Sequence, residues 1–66
     1  MNFNALKEKI PAYAMDYISR IRTQNKSGII SDKELNDRAS AYTTALCDAG
    51  VITDRERQRL YIYCTL

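Results

Sequence analysis

The chain has 66 residues, one domain at most, and a domain of that size buries only about 60% of its unfolded surface, so its core is small. It is 45% hydrophobic and 27% charged, as a globular protein is, and its net charge of +2 is too weak for a strong field toward DNA or an anionic membrane. No histidine, two cysteines without C-x-x-C spacing, no apolar run near ~20 residues and no secretory leader together point to a cytoplasmic protein with no metal, no cofactor and no membrane partner.

The first predicted element runs from Phe3 to Arg22. Phe3, Leu6, Ile10, Tyr13, Ala14, Tyr17 and Ile21 recur every three or four residues and form one apolar stripe, with Ile18 on its flank. Asn2 or Asn4 is the expected cap. Pro11 removes a backbone donor inside this element. Because the stripe keeps its phase across Pro11, one kinked helix is expected. The alternative is a break, with Pro11 opening a new helix and Ile10 as a poor N-cap. Asn25, Ser27 and Gly28 in "TQNKSG" then stop the helix.

The second helix is expected from Asp32 to Asp48, with Leu35, Ala39, Tyr42, Leu46 and Ala49 at heptad spacing. The third covers Asp54 to Leu66. It opens on charges, Asp54-Arg55-Glu56-Arg57, and ends on "LYIYCTL", apolar or aromatic on every side of a helix. That ending has β-strand composition, but no second strand is available to pair with it, so a helix is expected. The predicted fold is therefore all-α. It is a single small domain, residues 1–66, of three helices, the first kinked at Pro11 and the other two forming an antiparallel hairpin.

Two phrases nearly repeat: "GIISDKE" from Gly28 and "GVITDRE" from Gly50. Each glycine suits a left-handed stop. Ser31 with Glu34, and Thr53 with Glu56, each match the S/T-x-x-E capping box. Ile30 can staple to Leu35, whereas the matching partner of Ile52 is Arg57. The acids fit no calcium loop and the glycines no phosphate loop. The phrases read as two helix stops, each followed by a capped start.

A DNA-reading helix-turn-helix centred on Gly50 fails, because Leu46 stands where a small residue belongs and Glu56 and Arg59 where apolar residues belong. No nucleophile stands beside a candidate base, so no enzyme is expected. A hairpin of the last two helices separates Cys47 and Cys64 by on the order of 10 Å, too far for a disulfide. Tyr13, Tyr17 and Tyr42 read as core residues with hydroxyls at the rim. Tyr61 and Tyr63 flank Ile62 on opposite sides, so at least one is expected at the surface beside apolar neighbours, which is typical of interfaces.

These features point to a small regulatory or adaptor protein that binds another protein or itself as a homodimer. An inhibitor or modulator of a larger bacterial or phage protein fits that description. The expected partner-binding residues are Arg59, Tyr61, Ile62, Tyr63 and Leu66. The alternative is a nucleic-acid-binding regulator that uses Arg20, Arg22, Lys26, Arg55, Arg57 and Arg59 on phosphates.

Overall fold

Pro11 divides the first predicted helix in two. The computed structural model describes residues 3–66, which form α1 (Phe3–Lys9), α2 (Ala12–Lys26), α3 (Asp32–Asp48) and α4 (Asp54–Thr65), with no strand among them. Asn2, one candidate cap, lies outside the described residues, as do the side chains of Phe3 and Asn4. The helices number four rather than three, and the expected kink is a break. At Pro11 φ is −57° and ψ is 147°, so the chain leaves the helical region there. The Ile10 N–H still reaches Leu6 O at 3.2 Å, closing α1. The Pro11 carbonyl accepts from Ala14 N and Met15 N at 3.0 and 3.2 Å, opening α2. The cap is thus Pro11 itself, not Ile10. The physical reason lies on both sides of the ring: proline donates no hydrogen bond, and the residue before it is pushed out of the α region.

The buried residues keep helical spacing across this break. Leu6, Ile10, Ala14, Ile18 and Ile21 are buried, so Ile18 belongs to the stripe itself and not to its flank. Tyr13, expected in the core, is 61% exposed. α2 runs on to Lys26, past the expected end at Arg22, and Asn25 lies inside it. Its amide donates to Ile30 O at 3.3 Å and to Asp32 Oδ1 at 2.9 Å, tying the α2–α3 turn together.

Both repeated phrases fold as stop and start. Gly28 and Gly50 each have φ +77°. Ile29 N donates to Gln24 O at 2.8 Å and Gly28 N to Asn25 O at 3.1 Å; Val51 N donates to Leu46 O at 2.9 Å and Gly50 N to Cys47 O at 3.0 Å. These are the paired bonds of the Schellman stop. Two residues on, Ser31 Oγ accepts from Glu34 N at 3.1 Å and Thr53 Oγ1 from Glu56 N at 3.2 Å. The carboxylates return the contact, Glu34 to Ser31 N at 3.0 Å and Glu56 to Thr53 N at 2.7 Å. Both capping boxes are complete.

α3 and α4 pack closely, and α2 covers both. Tyr61 late in α4 donates to Asn36 Oδ1 early in α3 at 3.3 Å, so α4 runs back along α3. The core joins Leu6, Ile10, Ile18 and Ile21 to Leu35, Ala39 and Leu46 of α3 and to Leu60 and Cys64 of α4. Ile30 and Ile52, from the two turns, are buried in it as well. Tyr17 and Tyr42 pack ring to ring at its edge, with centroids 4.4 Å apart. Thr43, absent from the predicted stripe, is fully buried, whereas Ala49, on that stripe, is exposed. The Thr43 hydroxyl donates to Ala39 O at 2.8 Å within its own helix, which satisfies it without a tertiary partner. No helix among the described residues is long and apolar enough to cross a membrane.

Candidate functional site

α4 carries two faces. Glu56, Leu60 and Cys64, spaced by four residues, turn inward and are buried. Arg55, Arg59, Ile62 and Leu66 follow the outward side and are exposed. Ile62 is 58% exposed and Leu66 80%, so neither side chain serves the core. With Arg59 and Tyr63 they line an open hollow of about 460 Å³. Four of the five residues expected to bind a partner are therefore brought together.

Tyr61, the fifth, lies elsewhere. It packs half-buried against α3 and donates to Asn36. Tyr63 is also half-buried, with the Arg22 guanidinium 4.3 Å from its ring centroid. The expectation that at least one of this pair is exposed fails, because Ile62 takes the outermost position and each tyrosine leans back on a neighbouring helix. Met15 is likewise half-buried.

Arg22 has left the basic set proposed for phosphates. Stacking on Tyr63 holds it, and its Nε is buried with no hydrogen-bond partner among the described residues. Arg57 pairs with Asp54 at 3.0 Å. Arg20 and Lys26 are exposed on α2. Arg55 and Arg59 remain together on α4, where they line a second hollow of about 330 Å³ with Lys9, Thr53 and Glu56. Arg59 belongs to both hollows, so the apolar and basic parts are continuous.

Glu56 ties the base of this site to α1. Its side chain is buried, and Lys9 Nζ donates to Oε2 at 2.8 Å while Thr53 N donates to Oε1. The Lys9 bond first, then the Thr53 backbone bond, hold its carboxyl below the usual 4.5. This link between residues far apart in sequence left no trace in local patterning. The burial of Glu56 was legible only in hindsight, from its four-residue spacing to Leu60 and Cys64.

Cys47 and Cys64 are both free thiols, Cys47 half-buried and Cys64 buried. Burial pushes the Cys64 thiol up to about 11, with the positive charge of Arg22 opposing it in part. A thiol so protonated is a poor nucleophile. Comparison with protein-family models, curated proteins and solved structures gives no match to this chain.

Proposed function

We propose that this protein is a small, non-enzymatic, cytoplasmic regulator or adaptor that acts by binding another protein through the outward side of α4. One observation carries the reading: Ile62 and Leu66 stand exposed beside Tyr63 and Arg59 in one open hollow, while the opposite side of the same helix is fully packed. An apolar centre with an arginine at its edge is the composition that dominates binding energy at protein interfaces. A homodimer formed through this face, and inhibition or modulation of a larger bacterial or phage protein, are both sub-cases.

The test is a paired Ile62→Asp and Leu66→Asp variant. Both side chains are exposed, so helicity and melting temperature should stay close to the parent's. Capture of a host protein, or self-association in sedimentation over a concentration range, should be lost. A variant that keeps every partner of the parent ends this reading.

A second reading, nucleic-acid binding, draws on the Arg55–Arg59 hollow. It requires a mobility shift that weakens with salt and vanishes on Arg55→Ala with Arg59→Ala.

A further inference from the structure

The charges around α4 do not cancel as the sequence implies. Asp54 and Glu56 alternate with Arg55, Arg57 and Arg59, which reads as a diluted, solvated mixture. In the fold each carboxylate is already matched. Asp54 pairs with Arg57 at 3.0 Å, and Glu56 pairs with Lys9 at 2.8 Å. Arg55 and Arg59 have no carboxylate partner among the described residues, and they sit one helical turn apart on the outward side. The backbone N–H groups of Thr53 and Glu56 are taken by the capping box, so the two arginine side chains carry the charge offered at this end.

The site is thus polarised along its length. Two unmatched guanidinium groups occupy one end, Ile62, Tyr63 and Leu66 occupy the other, and Arg59 joins them. From Arg55 to Leu66 the strip is about 16 Å long at the helical rise. That length matches about three turns of a partner helix lying along α4.

We propose that the α4 strip takes an acidic amphipathic helix of a partner protein, its apolar side chains on Ile62, Tyr63 and Leu66 and its carboxylates on Arg55 and Arg59. This rests on the protein-binding reading above and specifies the partner's chemistry. Arginine forks pair carboxylates in two-point contacts, which fixes the direction in which the helix lies. Nucleic acid is disfavoured by the same strip, because half of it is apolar and only two cations are unmatched.

A displayed library of random peptides, each about four helical turns long, selected on the intact chain supplies the probe. The best binder is labelled and its affinity measured by fluorescence anisotropy. Enriched peptides should carry apolar residues at helical spacing with carboxylates toward one end. Arg55→Asp with Arg59→Asp should weaken binding about tenfold or more at low salt, and the gap should narrow as salt rises. A peptide with lysine in place of its acidic residues should bind that double variant better than it binds the parent. Circular dichroism checks that the variant stays folded.

Each other result overturns the inference. Selected peptides without carboxylates that still need Ile62 leave the protein-binding reading standing and remove the acidic partner. Enrichment of nothing, or of peptides indifferent to both Ile62→Asp and Arg59→Asp, removes both. A DNA or RNA oligonucleotide that outcompetes the peptide and is lost with Arg55→Asp and Arg59→Asp assigns the strip to nucleic acid. Self-association of the parent that disappears with Ile62→Asp assigns it to a second copy.

Discussion

Glu56 does three things with one carboxylate. It closes the capping box of α4, is itself buried, and holds Lys9 of α1. Its pKa is lowered in the folded state, so the stability it contributes is present above the ordinary value of 4.5 and is lost as pH falls through the depressed one. Glu56→Gln should lower the melting temperature at neutral pH, and its acid limb should be shallower than the parent's. Melting curves for the two proteins that stay parallel from neutral pH into acid would refute the assignment. Glu34, which closes the other box, is lowered chiefly by the Ser31 backbone and has no lysine bonded to it, so Glu34→Gln should cost less. The two thiols differ in the same local way. Ellman titration of the native protein at mildly alkaline pH should modify Cys47 rapidly. Cys64, with its thiol near 11, should react only on unfolding.

At the scale of elements, the two junctions are built alike but rest on different supports. An added Cβ at Gly28 or Gly50 meets no atom within 4 Å, so only the φ of +77° opposes a side chain there. Gly28→Ala and Gly50→Ala should each cost about 1 kcal/mol in urea denaturation, and asparagine should cost less. Ser31→Ala and Thr53→Ala should likewise each cost about 1 kcal/mol. Much of this was legible in the sequence, because stops and caps are chemistry of neighbouring residues. The bounds of α3 and the start of α4 follow from Ser31, Thr53 and the two glycines. What the sequence misjudged was continuity. The buried positions do keep helical spacing across Pro11, yet the helix breaks there, and α2 buries Ile18 while Tyr13 is exposed. Arg57 gives Ile52 no apolar staple partner, yet Ile52, Leu60 and Cys64 are all buried and anchor α4. The outward strip was partly legible, since Ile62 and Leu66 were in excess of what a small core can absorb. The matching of Lys9 to Glu56 and Arg22 to Tyr63 was not, since each joins segments whose distance only the fold determines.

At the scale of the whole molecule, few large side chains among the described residues are fully buried: Leu6, Ile18, Ile21 and Leu60 are the aliphatic ones. Leu60→Ala should cost about 2–5 kcal/mol, a large share of the stability of a domain this small, and chemical denaturation measures it directly. Ile62→Ala, two positions away but outward, should change stability by less than about 0.5 kcal/mol. That contrast separates the side of α4 that holds the fold from the side proposed to hold a partner. The Tyr17–Tyr42 pair adds an optical consequence. The chain has five tyrosines and no tryptophan, and these two rings, one on α2 and one on α3, lie 4.4 Å apart at 41°. Rings held so closely and at a fixed tilt contribute to the near-ultraviolet dichroism. Undocking of α2 would erase that signal while the far-ultraviolet helical band persisted. The molecule therefore carries a built-in chromophore pair that reports on one helix–helix seam, with no label attached.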